Sequence, residues 1–179
     1  MSLIVANFRD VGESVNILSD RRIMKEGVLL RGGKIDMVEN VESIHSPKTI
    51  VNLRKGNDPS FDHVRNIKLP AADSVDVYSV ESGKNRKWLV SVLGALTDSS
   101  TEAPYYVHCA AGKDRTGVVV GAILASLGID REIIVEEYES SVGLLQPGLF
   151  REAVDRFFET DYFRKVDTSA LRKLFLLDI

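Results

Sequence analysis

His108-Cys109-Ala110-Ala111-Gly112-Lys113-Asp114-Arg115-Thr116-Gly117 contains the only cysteine of the 179-residue chain, with an arginine six residues after it. Tyr105-Tyr106-Val107 before it is aromatic and β-branched, which predicts a strand. Thr116 to Leu127 after it is almost wholly apolar and predicts a buried helix. The loop therefore joins the carboxyl end of a strand to the amino end of a helix. Open α/β sheets hold their ligands at such junctions.

The junction suits a phosphate dianion. Unpaired amides at a helix start, with the positive end of its dipole, form an anion cradle. Gly112 lets the loop curl so that successive N–H groups point inward. The same field favours a thiolate, which makes Cys109 the expected nucleophile. Arg115 adds a planar fork able to grip two phosphate oxygens, and the Thr116 hydroxyl is placed to hydrogen-bond the sulfur. A small buried cysteine in a glycine turn is the plainer alternative. Each fixed neighbour, however, has a chance frequency of roughly one in twenty. His108, Gly112, Arg115, Thr116 and Gly117 all stand in register around Cys109, and coincidence does not account for that.

This His-Cys-x5-Arg-Thr pattern resembles the signature of the cysteine-dependent protein tyrosine phosphatases. Cys109 to Gly117 is most similar to the loop of their atypical bacterial branch. Members of that branch act on phosphotyrosine, sometimes on phosphoserine or phosphothreonine, and on phosphoinositides. The resemblance implies that Ala110, Ala111, Gly112, Lys113 and Asp114 contact the substrate phosphate, and that His108 orients the loop by hydrogen bonding. Asn7-Phe8-Arg9-Asp10-Val11-Gly12 reads as a turn and resembles the opening of the same branch. Gly27 to Gly33 resembles the short strand that follows it. Glu13 and Gly32 depart from the pattern, standing where many relatives have Gly and Ser. Arg9 and Arg31 are expected to be structural, pairing with carboxylates behind the site.

Composition bounds the partners. With 44% hydrophobic and 27% charged residues the chain is an ordinary globular one, expected as a single domain over residues 1–179. A formal charge of −3 and a pI near 5.7 give no basic face for nucleic acid or for stable membrane association. One cysteine excludes an internal disulfide and any metal site built on several cysteines. No metal or cofactor is expected. A thiolate enzyme suits a reducing compartment, and Met1 to Ala6 is too short an apolar run for a secretion signal. The cytoplasm is the expected location.

The predicted fold is α/β, a central mostly parallel sheet flanked by helices, tyrosine or dual-specificity phosphatase-like, with a C-terminal helical segment. Lys34 to Ser43 is expected as a short helix with Met37, Val41 and Ile44 at helical spacing. Thr49 to Leu53 is expected as a central parallel strand. It ends in the polar loop Arg54 to Pro59, where Arg54 either faces substrate or is a solvated loop arginine. Val64 to Leu69 alternates and predicts another strand. Lys84 to Leu96 predicts a helix with Trp88, Val92, Ala95 and Leu96 on one face, Trp88 being a core anchor. Asp130 is a good N-cap for a helix reaching about Ser140 with Ile133, Ile134 and Tyr138 inward. Glu137-Tyr138-Glu139-Ser140-Ser141 is similar to the end of that helix in the family. Leu144 to Leu177 predicts two or three short helices, one starting near Pro147 with Phe150, Val154 and Phe157 inward. Leu171, Leu174, Phe175 and Leu177 predict a docked amphipathic helix rather than a membrane-facing one.

The expected reaction is two-step hydrolysis of a phosphomonoester, a phosphorylated protein or a small ester. Cys109 is the nucleophile, and Arg115 with the loop amides holds the equatorial oxygens. For the general acid the resemblance points to the loop Pro70-Ala71-Ala72-Asp73, where relatives have an Asp three residues after a Pro. Asp73 is the first candidate, with Asp76 and Asp114 as alternatives; Asp114 has a plainer role in a salt bridge that rigidifies the loop. Only 35 residues separate Asp73 from Cys109, so the lid that some relatives insert there is not expected. Lys113 is either a second cation that reads a second phosphate on an inositol headgroup or a partner of Asp114. His45 and His63 read as surface residues. A sulfurtransferase is disfavoured by the Arg-Thr-Gly continuation. A nucleotide-binding loop is disfavoured because Lys113 is followed by Asp114 and position 107 is Val107. A catalytically inactive phosphate-binding module would not need Cys109, Arg115 and Thr116 together.

Overall fold

Tyr105–His108 is buried throughout and forms the central strand of a five-stranded sheet. The structure is a computed structural model that describes residues 5–178. Its strands are β1 (Arg9–Asp10), β2 (Leu29–Gly32), β3 (Thr49–Asn52), β4 (Arg65–Lys68) and β5 (Tyr105–His108), in the spatial order β1-β2-β5-β3-β4. All pairs are parallel except β1 with β2. In the register, Gly32 and Asn52 both lie opposite His108. The carboxyl ends of β2, β5 and β3 therefore stop at one level, and the loops leaving them meet.

Side chains on adjacent residues of a strand leave opposite faces. Leu29, Val51, Tyr105 and Val107 join the larger core cluster, whereas Leu30, Ile50 and Tyr106 join a smaller one with Val5, Ile35, Val38 and Ile44. The helices are α1 (Val11–Ser19), α2 (Gly83–Thr97), α3 (Asp114–Ser126), α4 (Arg131–Glu139), α5 (Pro147–Phe157) and α6 (Thr168–Phe175). All six contribute buried residues to the larger cluster, so the helical layer gathers over one face. The other face is covered by loops.

From Arg115 to Ser126 every residue of α3 is buried, as a helix apolar all round must be. Its packing depends on two small residues one turn apart. A Cβ at Gly117 would lie 2.7 Å from the Tyr138 ring, and one at Gly121 would lie 2.9 Å from Phe150. Those two rings stack at 4.0 Å across the face of α3.

Several expectations are met locally. Asp130 caps α4 by accepting from Glu132 N, and Pro147 opens α5. Leu171 and Phe175 are fully buried, so the C-terminal helix is docked, with Phe175 edge-on to Tyr105. No helix of the described residues is long and apolar enough to cross a membrane. Trp88 is half-buried rather than a deep anchor, and its Nε1 donates to Leu69 O at 2.9 Å, tying α2 to the loop after β4.

Two expectations fail. The helix predicted over Lys34 to Ser43 is absent: only a 3-10 turn, Val41–Ile44, forms, and Met37 is 73% exposed. The backbone here is committed elsewhere, because Gly33 N bonds Ala6 O and Lys34 N bonds Ala110 O. Ile35, Val38 and Ile44 instead fold inward to cover the smaller cluster. The opening predicted as a turn at Asp10 and Gly12 leads directly into α1. Asp10 is the N-cap, its carboxylate accepting from Gly12 N and Glu13 N.

Gly117→Ala should destabilise the protein although alanine is the better helix former. The propensity gain is about 1 kcal/mol, whereas overpacking against a ring stacked on its far side costs about 1–3 kcal/mol. The urea midpoint should fall with an unchanged m-value. A midpoint at or above wild type would show that the Tyr138 ring yields.

Candidate active site

Cys109 is 2% exposed and follows β5 directly. The loop after it is shaped by donors that approach from outside. Lys34 N donates to Ala110 O at 3.0 Å, Asn7 Nδ2 to Ala111 O at 2.9 Å and Arg31 Nη2 to Gly112 O at 3.0 Å. A peptide is planar, with N–H and C=O pointing oppositely. Fixing three successive carbonyls outward therefore turns the amides of Ala111, Gly112 and Lys113 to the inner side. Among the described residues these amides have no acceptor. Gly112 makes the turn at φ +69°, where a Cβ would lie 2.4 Å from Gly32 C. Only glycine fits there.

The same closeness accounts for Gly32, which departs from the family pattern. A Cβ on Gly32 would lie 2.5 Å from the Tyr106 hydroxyl. That hydroxyl donates to Gly33 O at 2.6 Å, filling the space a serine side chain would take.

Behind the loop, Glu137 accepts from Arg31 Nη1 at 2.5 Å and from Arg9 Nε at 2.7 Å. Arg9 Nη2 also reaches Glu137 O and Ser141 Oγ. Arg31 and Glu137 are essentially inaccessible to solvent. Burial pulls the Arg31 pKa down and the Glu137 carboxylate opposes it; an arginine stays charged in either case. The expected structural roles of Arg9 and Arg31 thus meet on one carboxylate.

His108 is buried, with Nε2 2.7 Å from Asp58 Oδ2 and Nδ1 3.2 Å from Cys109 O, and it stacks on Tyr106. Asp58 also accepts from Arg54 at 3.0 Å, and Arg54 pairs with Asp36. Burial works against the charge of Arg54, but its hydrogen bonds to Asp36 and Asp58 outweigh that and raise its pKa. The Arg54 hydrogen bond holds Asp36 below the usual carboxylate range. The solvated form of Arg54 is therefore overturned: the side chain is 13% exposed and held among carboxylates.

Arg115, in the first turn of α3, reaches the carbonyls of Leu53 and Ala71 at 3.4 Å, and its Nη2 lies 3.4 Å from Asp73 Oδ1. The acidic loop is thereby brought onto the cysteine loop. Asp73 is 72% exposed at this contact. Asp76 is exposed, in the 3-10 turn Val75–Tyr78 beyond it. Asp114 accepts a hydrogen bond from the Tyr78 hydroxyl at 2.5 Å. Lys113 sits 3.7 Å from Asp114 but donates to Leu144 O at 2.8 Å, toward the loop between α4 and α5. Thr116 is buried and its Oγ1 has no hydrogen-bond partner, so the suggested bond to the sulfur is not made in this structure. Arg115 Nε is likewise unpartnered. His45 and His63 are exposed.

Three residues of this arrangement carry no signal in the sequence: Asp58, Tyr78 and Asn7. Asn7 belongs to the resemblance at the chain opening, but nothing in its neighbourhood indicates that it would hold Ala111.

A strand-to-helix loop that starts at a buried cysteine and ends at a buried guanidinium, its carbonyls turned outward, defines a cysteine-based anion site. The sequence profile of the tyrosine phosphatase family matches residues 4–175, and the chain belongs to that family. Over 74 residues it is 38% identical to the triple specificity protein phosphatase PtpB of Mycobacterium tuberculosis. That match covers 40% of this chain and 26% of the relative, about a quarter of its length. The core catalytic domain of the PP-IP phosphatase SIW14 from S. cerevisiae has a similar fold, with TM-score 0.63 and 16% identity over 83% of this chain and 93% of that one. TpbA of P. aeruginosa is similar at TM-score 0.52 and 22% identity, over 86% and 87%.

Glu137→Ala should destabilise the protein by about 3–5 kcal/mol, because it strands two guanidiniums, one fully buried. Glu139→Ala, an exposed carboxylate two residues on, should change stability by about 0.5 kcal/mol or less. Urea denaturation of both variants checks the contrast; equal effects would show that the buried pair contributes nothing particular.

Proposed function

We propose that the protein is a phosphomonoesterase, a protein tyrosine or dual-specificity phosphatase that works through a phosphocysteine intermediate. The observation that carries this reading is the outward turn of the Ala110, Ala111 and Gly112 carbonyls, with the Arg115 guanidinium drawn to Asp73 at the loop's other end. Inward amides and a planar fork suit the three equatorial oxygens of a phosphoryl group in transfer.

On this reading the Cys109 thiolate attacks phosphorus in line. The S–P bond forms as the ester P–O bond breaks, and Asp73 gives its proton to the departing oxygen. The Asp73 carboxylate then takes a proton from water as that water attacks the phosphocysteine. Inorganic phosphate leaves and the thiolate is regenerated. Asp73 is preferred over Asp114 because Asp114 is already an acceptor for Tyr78. It is preferred over Asp76 because the Asp73 carboxylate is the one that reaches Arg115.

The alternative substrate, a phosphoinositide or inositol phosphate, rests on Lys113 as a second cation beside Arg115. Lys113 Nζ is tied to Leu144 O, which favours phosphorylated protein or a small phosphomonoester instead. The cytoplasm, a reducing compartment, is the setting this thiolate chemistry suits.

Cys109→Ser should abolish turnover of an aryl phosphate while phosphate binding persists, and the wild-type rate should survive chelator. A variant with normal kcat, or a wild type that needs added metal, would overturn the assignment.

Asp73→Asn should slow esters with poor leaving groups far more than activated aryl esters, since activated oxygens need little protonation to depart. Equal losses on both would remove Asp73 as the acid.

A further inference from the structure

Helix α3 begins differently from its neighbours. The first amides of α1, α2, α4 and α6 are capped by the side chains of Asp10, Ser82, Asp130 and Asp167, and α5 opens with Pro147. At α3, residue Lys113 makes no side-chain cap, although Asp114 stands in the first turn. A carboxylate there is normally drawn to the helix N-terminal amides and the positive end of the dipole. In this protein it is held elsewhere.

Lys113 Nζ lies 3.7 Å from Asp114 Oδ2, and Asp114 Oδ1 is held by a chain of hydroxyls with one polarity. The Asp114 carboxylate only accepts, so Tyr78 donates its single proton to Oδ1 at 2.5 Å. Tyr78 then accepts from Tyr138 at 2.6 Å, whose oxygen accepts from Gln146 N at 2.9 Å. Reversing the chain would leave the Tyr138 proton facing the Gln146 N–H. Both tyrosines are buried and packed edge to face. Burial and the bond to Asp114 push the Tyr78 pKa far above the ordinary tyrosine range, so it remains a donor at any working pH. Tyr78 lies five residues after Asp73, so one hydroxyl couples the acidic-loop segment, the start of α3 and α4.

We propose that Tyr78, aligned by Tyr138, is a positioning residue that draws the Asp114 carboxylate aside and so keeps the anion cradle from being occupied by the protein's own first-turn aspartate. Without it, Asp114 competes with the incoming dianion for the same amides. The inference rests on the anion-site reading above and adds to it a reason for the uncapped helix.

The test is vanadate binding, followed by calorimetry alongside thermal melting. Wild type should bind, and failure to bind at all would overturn the anion-site reading itself. Tyr78→Phe should bind vanadate about tenfold more weakly, the order expected for freeing a competing charge. Adding Asp114→Asn to Tyr78→Phe should restore binding, because the competitor is then neutral. Tyr138→Phe should weaken binding less than Tyr78→Phe, since Tyr78 can still donate, yet lower the melting temperature at least as much, since Gln146 N–H loses its acceptor. A merely structural pair would show binding losses that follow the melting losses, with no rescue in the double variant; either result overturns the proposal. If Tyr78→Phe does not fold, Asp114→Asn alone decides. It should bind vanadate at least as tightly as wild type, and weaker binding overturns the proposal.

Discussion

One buried carboxylate between two guanidiniums holds this molecule's working end together. Glu137 accepts from Arg9 and from Arg31, and Arg31 passes the constraint on to Gly112 O. Each charge is costly to bury alone and tolerable only with partners that satisfy its hydrogen-bonding capacity. Both carboxylate oxygens are taken, Arg9 reaches the backbone of α4 and Arg31 reaches the loop. Removing any member strands the others, so β1, β2, α4 and the cysteine loop are fixed relative to one another. That fixity has chemical meaning, because it is a loop carbonyl that the second guanidinium turns outward.

Sheet register converts this rigidity into a site. Gly32 and Asn52 end level with His108, so the three parallel strands release their loops at one edge. Gly32 and Gly33 lie against Gly112 and Ala110 at distances no side chain allows. On the other side, the segment after β3 supplies Asp58 to His108, and the segment after β4 supplies Asp73 to Arg115. Asp73 lies on an exposed loop, whereas Cys109 is mounted at the end of a strand and Arg115 on the first turn of a buried helix. Such mounting favours geometric precision over adaptability.

The electrostatics are local. The chain as a whole carries −3, so it does not attract anions through its overall field. On the proposed function the start of α3 does so through its amides and Arg115, while its own nearest carboxylate is engaged by Tyr78. An uncapped helix start inside a protein is ordinarily a defect. On the same proposal it is the binding surface, and the hydroxyl chain from Gln146 through Tyr138 and Tyr78 keeps it available.

From Tyr105 to Leu127 the sequence alone determined the strand, the loop and the buried helix. Those features are set by near neighbours: β-branched and aromatic residues, a glycine at a forced turn, an apolar run without polar positions. The caps at Asp130 and Pro147 were legible for the same reason. Lys34 to Ser43 has real helical spacing, but Gly33 N before it and Lys34 N at its start are claimed by Ala6 and Ala110, contacts the local pattern does not encode. The helix after Asp10 was missed because an Asp with a Gly two residues later suits a turn and an N-cap equally well. Arg9 and Arg31 were expected to find carboxylates, but only the folded chain selects Glu137, more than a hundred residues away. Asp58, Tyr78 and Asn7 were invisible, since a buried aspartate, a tyrosine and an asparagine become site residues only through what packs beside them. The sequence offered the groups on which the proposed chemistry rests; the tertiary structure decided which carbonyls face out, which carboxylate stays exposed beside Arg115, and which one is held aside. Those choices depend on long-range hydrogen bonds whose partners share no sequence neighbourhood.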